Sequence, residues 1–289
     1  MTAYVARPAK RRRRTNAELE TIDQAIIEVA EAEHPISLRG VYYRVVSRGA
    51  IEKTDAAYNV VQRQLLKLRR AGRVPYEYVV DGSRSLQGIL AWSSIEERLR
   101  SVVHNYRRSI WDNQNHEILV LIEKDAIDGV VEPVTDKWQV QLGSTRGYSS
   151  ETFKHTVAGV VRRNTHRGKR TVLFNLGDHD PSGADAWRDF EAKIRGFVPD
   201  ADADFTRLAV LEEQIQEWGL LTRPTKMTDT RASGFVGGSV EVDAIESSQL
   251  RSLLEEAIVS YIDQDRLEET RRLEADEQVR LRSIMGGAL

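Results

Sequence analysis

Apolar positions in the first third of the chain recur at helical spacing. In "TNAELETIDQAIIEVAEAE" Ile22, Ala25, Ile26, Val29 and Ala30 repeat at i, i+3, i+4, i+7 and i+8, which predicts an amphipathic helix from Thr15 that Pro35 stops. A second helix is predicted in "PISLRGVYYRVVSRG", with Ser37 as N-cap and Gly49 near the C-terminus. Its apolar stripe is Leu38, Val41, Tyr42, Val45 and Val46, so Tyr42 is expected to point inward. Arg39, Tyr43 and Ser47 lie at i, i+4 and i+8 on the other face, which makes Tyr43 the exposed ring. A third helix follows in "TDAAYNVVQRQLLKLRRAG", with Tyr58, Val61, Leu65 and Leu68 on one face. "RVPYEYVVDGSR" then alternates as a strand does and closes on an Asp-Gly turn. Three helices followed by a strand and turn predict an α-helical winged-helix domain over residues 15–84, preceded by a disordered basic arm at 1–14. Residues 85–115 read as a helical connector, with Trp92, Leu99, Val103 and Trp111 available for packing.

From residue 116 the texture changes. "HEILVLIEKD" is a continuous apolar run, and "QVQLGS", "RTVLFNLGDHD" and "FTRLAVL" read as further strands. Helical stretches ("AIDGVVEPVTDKW", "SETFKHTVAGVVRRN", "SGADAWRDFEAKIRG", "EEQIQEWG") alternate with them. Buried strands alternating with helices predict an α/β domain with a mainly parallel, Rossmann-like sheet over 116–260. The charged stretch from "SSQLRSLL" to "RSIM" reads as helical, its last part (261–289) as a charged tail. No internal repeat is present.

Composition narrows the class. In 289 residues, 40% hydrophobic and 30% charged, no window approaches the ~18 consecutive apolar residues of a membrane span. The start "MTAYVARPAKRRRR" has no apolar signal core, so neither membrane nor export is expected. Cysteine is absent, which excludes disulfides and thiolate metal sites and fits a cytoplasmic protein. The net charge of −2 hides an asymmetry: residues 1–115 carry 20 Lys and Arg against 13 Asp and Glu, and the remainder 22 against 31. The basic half therefore suits an anion, with Arg11, Arg12, Arg13, Arg14, Arg63, Lys67, Arg69 and Arg70 expected to grip a DNA backbone.

The chemistry is expected at two strand ends. Glu123 ends "ILVLI"; Asp178 and Asp180 follow "TVLFNL". In an open parallel sheet, sites form outside the carboxyl ends of the strands. Three carboxylates without His or Cys are hard-oxygen donors suited to Mg²⁺ or Mn²⁺. "PSG" then opens a helix whose N-terminus favours phosphate. The plainer alternative is turn chemistry, since Asp, Gly, Pro and Ser also make turns.

"LIEKDAI" with "GDHDPSG" resembles the Toprim fold, the magnesium-binding module of topoisomerases, primases and related nucleases, over roughly residues 116–215. With "ISLRGVYYRVVSRG" ahead of it, the chain resembles the topoisomerase VI A subunit and the related meiotic break-forming transesterase. That resemblance implies Tyr43 as nucleophile, Arg39 beside it, and Glu123, Asp178 and Asp180 as the Mg²⁺ set, with Glu123 also moving a proton. It implies Mg²⁺-dependent cleavage of double-stranded DNA through a 5′-phosphotyrosyl intermediate, in a homodimer that pairs one subunit's tyrosine with the other's metal site. Two departures stand out. Gly40 replaces the family's acidic residue after the Arg, and the chain is shorter than a typical A subunit. It also carries no Gly-rich ATP motif, so ATP-driven strand passage would need a separate ATPase B-type subunit. Reduced relatives of this kind occur in phages and bacteria. The competing readings are a Toprim nuclease that uses water, with Tyr43 only a DNA contact, and a non-catalytic DNA-binding module. His179, between the two aspartates, and the Gly-rich "GFVGGSVEVDAI" receive no role.

Overall fold

A computed structural model of the chain describes residues 14–80, 89–223 and 238–286. Helix α1 (Asn16–Glu33) opens on a reciprocal cap: the Thr15 hydroxyl accepts the Glu18 N–H at 3.2 Å and the Glu18 carboxylate accepts the Thr15 N–H at 2.7 Å. Its apolar stripe, Ile22 to Ala30, is buried as the spacing predicts. Strand β1 (Ile36–Ser37) leads directly into α2 (Leu38–Ser47), where the Ser37 hydroxyl accepts the Gly40 N–H at 2.9 Å. Helix α3 (Asp55–Arg70) buries Val61, Leu65 and Leu68 against the first two.

The strand expected after α3 is short. β2 (Val79–Val80) pairs in parallel with β1. The Asp81-Gly82 turn lies outside the described residues, and among the described residues no antiparallel wing accompanies the three helices.

The connector differs from expectation. Its described part is helical only at α4 (Ile95–Asn105), and residues 106–115 are irregular. The cause is tertiary: Ile110 and Trp111 are buried, and the Trp111 indole donates to the Trp138 carbonyl at 2.7 Å. A continuing helix would forfeit that anchor.

The second half is a parallel α/β layer. Strands β3 (His116–Ile122), β4 (Gln141–Ser144), β5 (Arg170–Leu176) and β6 (Ala203–Ala209) form one sheet in the order β4-β3-β5-β6. Helices α5 (Asp128–Lys137), α6 (Glu151–His166) and α7 (Pro181–Phe197) supply the crossovers, and α8 (Glu212–Glu217) follows β6. Both faces of the sheet are covered, which explains the uninterrupted apolar runs. Ile118, Val120 and Ile122 face a core shared with the N-terminal helices, while Leu119 and Leu121 face Val157, Val161, Phe190 and Ile194. Register matters most for function: Ile122 lies beside Leu176, so β3 and β5 end level with one another.

The C-terminal stretch, expected as one helical run, divides into α9 (Ser247–Val259) and α10 (Gln264–Gly286). Buried Gln114 accounts for the break, since its amide donates to the Asp263 carbonyl at 3.1 Å and accepts the Asp263 N–H at 2.8 Å. Leu250, Leu254 and Ile258 make α9 part of the core rather than a solvated tail. Among the described residues no helix is long and apolar enough to cross a membrane.

Candidate functional site

The level ends of β3 and β5 bring the Glu123 carboxylate onto the backbone of Asp178. Glu123 follows Ile122 and donates its N–H to the Leu176 carbonyl at 3.0 Å, while its Oε2 accepts the Asp178 N–H at 2.8 Å. Asp180 caps α7: its Oδ1 accepts the Gly183 N–H at 2.7 Å. Gly183 lies where the three meet. A β-carbon there would stand 2.7 Å from the Asp178 carbonyl oxygen, 3.0 Å from Glu123 Oε2 and 3.4 Å from Asp180 Oδ1. The turn chemistry of "GDHDPSG" and the approach of two carboxylates, Glu123 and Asp180, are therefore both present, because Asp180 serves the helix cap without leaving Glu123; the Asp178 carboxylate turns instead to the Val242 N–H and Lys124.

The surroundings are electrostatically tense. Burial, then the negative charges of Asp178 and Asp180, pushes the Glu123 carboxyl up, against the Asp178 N–H and Lys124. Arg207 from β6 donates to the Asp178 carbonyl, and its guanidinium is itself held below its usual value by burial. His179 points its backbone the other way, pairing with Val240 as an antiparallel bridge (2.8 and 3.0 Å). Burial holds its imidazole below the ordinary range.

That bridge brings the end of the "GFVGGSVEVDAI" stretch to the carboxylates. Val242 donates its N–H to Asp178 Oδ1 at 3.0 Å, and Glu241 and Asp243 on either side are buried. Lys124, next to Glu123, reaches Asp178 at 2.7 Å, Glu241 at 3.2 Å and Asp243 at 3.7 Å. Arg39 from α2 and Arg223 both pair with Glu241. Asp243 Oδ1 accepts the Ser37 hydroxyl at 2.8 Å, and Arg44 donates to the Ala244 carbonyl. The signal was legible in "SVEVDAI": two acids alternating with two valines, a strand-like pattern placing Glu241 and Asp243 on one side. Most of the Gly-rich stretch before it lies outside the described residues.

Tyr43 is not the exposed ring that the α2 periodicity predicts. It is 3% exposed, and Tyr42 is buried as well. The reason is that α2 is covered on two sides: Tyr42 packs edge-on to Tyr58 of α3, while the 242–244 turn lies against the face expected to be open. Burial pushes the Tyr43 phenol up, while Arg223, Arg39 and Lys124 pull it back. Lys53 stands 5.2 Å from the centre of the Tyr43 ring and donates to the Leu221 and Thr222 carbonyls at 2.8 and 3.1 Å. Burial and Arg223 lower its ammonium to about 8. Arg39 remains on the solvent side, 41% exposed.

The basic residues separate by role. Arg63, Lys67 and Arg70 are exposed on α3. Arg69 is occupied: it donates to the Tyr76 and Val79 carbonyls and stacks on the Tyr76 ring at 4.5 Å, holding the segment that leads into β2. Arg14 pairs with Glu52 at 2.7 Å, and Arg11, Arg12 and Arg13 lie outside the described residues.

Among the described residues no three acidic or imidazole groups stand in a ready metal-ligating arrangement. The donor chemistry nevertheless fits a hard cation. Glu123 and Asp180 close on one point over Gly183, Asp178 adds charge, and the buried Asn175 Oδ1 beside Glu123 has no hydrogen-bond partner. The fold and site thus define a mixed α/β chain whose parallel sheet presents acidic groups at its carboxyl ends, joined by a charged seam to a helical N-terminal unit. Comparison with protein-family models, curated proteins and solved structures returns no match.

Proposed function

We propose that the chain is a DNA-cleaving transesterase of the topoisomerase VI A type, built from a winged-helix-like unit and a Toprim-like sheet. One observation carries this reading. Tyr43 lies in electrostatic reach of Arg223, Arg39 and Lys124, and Lys124 is ion-paired to Asp178 beside Glu123. A tyrosine nucleophile needs nearby positive charge, because a free phenol ionises only near ~10.

In this mechanism the Tyr43 oxygen attacks a backbone phosphorus, forming a P–O bond to tyrosine and breaking the bond to the 3′ oxygen. The products are a 5′-phosphotyrosyl link and a 3′-hydroxyl; reversal religates the strand. Arg39 orients the phosphate. Glu123 would carry the proton lost by the Tyr43 phenol to the leaving 3′ oxygen, which balances the exchange. Glu123, Asp178 and Asp180 would hold Mg²⁺, or Mn²⁺ in its place, and that ion would supply Lewis-acid stabilisation of the leaving oxygen. Arg63, Lys67 and Arg70 of α3 grip the DNA backbone. A homodimer would make paired cuts, and strand passage would draw on a separate ATPase subunit.

The family resemblance pairs the tyrosine with the other subunit's carboxylates. Here α2 lies against the 241–244 segment of its own chain, which supports one complete site per chain. A nuclease using water is the second reading, and the burial of Tyr43 favours it.

Supercoiled plasmid incubated with Mg²⁺ or Mn²⁺, then quenched in detergent with and without protease, separates the readings. Protein-linked nicked or linear DNA is expected from the wild type and from neither Tyr43→Phe nor Glu123→Gln. Free-ended cuts that survive Tyr43→Phe would establish the nuclease instead. A mixture of the two variants is expected to stay inactive; recovered nicking would show that the site is shared between subunits.

A further inference from the structure

We propose that Arg39, Lys124 and Arg223 form a binding site for one phosphodiester group, and that the Glu241 carboxylate occupies this site as an internal competitor. The inference rests on the DNA-cleavage reading and adds to it two phosphate ligands and the group they must release. Glu241 is 5% exposed, yet its two oxygens meet three cations: Arg39 and Lys124 at Oε2 and Arg223 at Oε1. Lys124 shares its charge with Asp178 and Asp243. Arg39 and Arg223 have no second acidic partner among the described residues, and both guanidinium side chains reach solvent, 41% and 48% exposed.

A phosphodiester carries one negative charge and two non-bridging oxygens, as a carboxylate does. Guanidinium pairs with a nearby ammonium recognise either anion through charge-assisted hydrogen bonds. The location is also chemically apt. The cations that hold Glu241 are those whose charge reaches the Tyr43 phenol, so an anion in place of Glu241 would share the cations that act on the nucleophile. Lys124 would link that anion to Asp178 at the carboxylate cluster. The backbone on either side of Glu241 is held separately, by the pairings at Val240 and Val242, so release of its carboxylate does not have to break them.

Calorimetric titration with inorganic phosphate, and with a short DNA duplex, tests this in the full chain. Glu241→Gln is expected to bind phosphate about tenfold more tightly than the wild type, the scale of one charge-assisted hydrogen bond freed from an internal partner. Adding Arg223→Gln to that variant should abolish the gain. Glu255→Gln, which removes a charge on α9 next to Lys137, should leave phosphate affinity unchanged. Equal affinity in wild type and Glu241→Gln, or an equal gain from Glu255→Gln, would overturn the proposal. Glu241→Asp keeps the charge with a shorter reach, so it should show a smaller gain even where the Gln variant folds poorly. A phosphate gain without any protein–DNA adduct would keep the anion site and remove the transesterase; an adduct without the gain would do the reverse.

Discussion

The same substitution at two helical glycines tests how tightly the turn after β5 closes on the start of α7. Gly159 lies in the middle of α6, and a β-carbon there would meet nothing within 4 Å. Gly183 lies in the first turn of α7, with the Asp178 carbonyl oxygen 2.7 Å from the β-carbon position. Helix propensity favours Ala over Gly by ~0.8–1.0 kcal/mol, so Gly159→Ala is expected to stabilise by nearly that amount. At Gly183 the obstacle is backbone, and it is pinned: the Asp178 carbonyl accepts from Arg207 and from the Asp180 N–H at 3.1 Å. Overpacking of this kind costs ~1–3 kcal/mol, which cancels or exceeds the propensity gain. The two variants should therefore differ by ~1–3 kcal/mol, a gap of several degrees in Tm at ~2–4 °C per kcal/mol for large domains. Urea unfolding of both variants beside the wild type measures it. Gly183→Ala as stable as Gly159→Ala would refute the claim that the Asp178 carbonyl, with the Glu123 and Asp180 carboxylates behind it, closes on the start of α7. Since Glu123 Oε2 is 3.0 Å from the same position, Gly183→Ala should also weaken Mg²⁺-dependent cleavage.

Three further outcomes are expected. The folded chain holds the Glu123 proton to higher pH than the unfolded chain does, so ionisation costs stability above the folded value and nothing below the ordinary carboxylate range. Glu123→Gln should then be more stable than the wild type at neutral pH, by ~0.5–2 kcal/mol, with the gain fading as the pH falls toward ~4; an unchanged midpoint at neutral pH would contradict this. On α3, Arg69→Ala should destabilise the fold while Arg70→Ala leaves stability unchanged and flattens the salt dependence of DNA binding by ~0.9 in log–log slope; the opposite assignment would show that Arg69 faces DNA. Cleavage should accelerate with pH from 7 upward, because burial raises the Tyr43 phenol, and the rise should bend near the Lys53 value of about 8, with Lys53→Arg removing the bend. A flat profile would count against Tyr43 as nucleophile.

Regular, local features were legible in the sequence. The apolar stripe of α1, the Ser37 cap, the alternation of strands and helices and the placement of Glu123 and Asp178 at strand ends all follow from spacing and cap chemistry. What escaped depends on partners far along the chain. Period alone left one face of α2 open, and only the fold brings residues 242–244 across some 200 positions to close it over Tyr43. The unwound 106–115 stretch is held by Trp138, and the α9–α10 break by Gln114. Arg69 looked like its neighbours because composition cannot tell a solvated guanidinium from one spent on two carbonyls.

The charged seam itself has no stability rationale. Asp178, Glu241 and Asp243 face Lys124, Arg39 and Arg223 in a largely buried setting, and Asp243 Oδ2 lacks a hydrogen bond. Taking such groups from water costs several kcal/mol per ion, and well-packed apolar residues of similar volume often do as well or better. Core packing around the seam is already dense, with Val41, Val45, Val240 and Val242 fully or nearly fully buried, so burying more apolar surface was open to this fold. A network that forgoes that simpler solution, joins α2 to the ends of β3 and β5, and leaves two guanidinium groups at the surface is better suited to receiving an anion than to holding two units together. The prediction that separates these roles is Arg39→Gln: a structural tie would lower stability and leave phosphate affinity in the Glu241→Gln background alone, whereas an anion ligand should lower that affinity even where the midpoint of unfolding hardly moves.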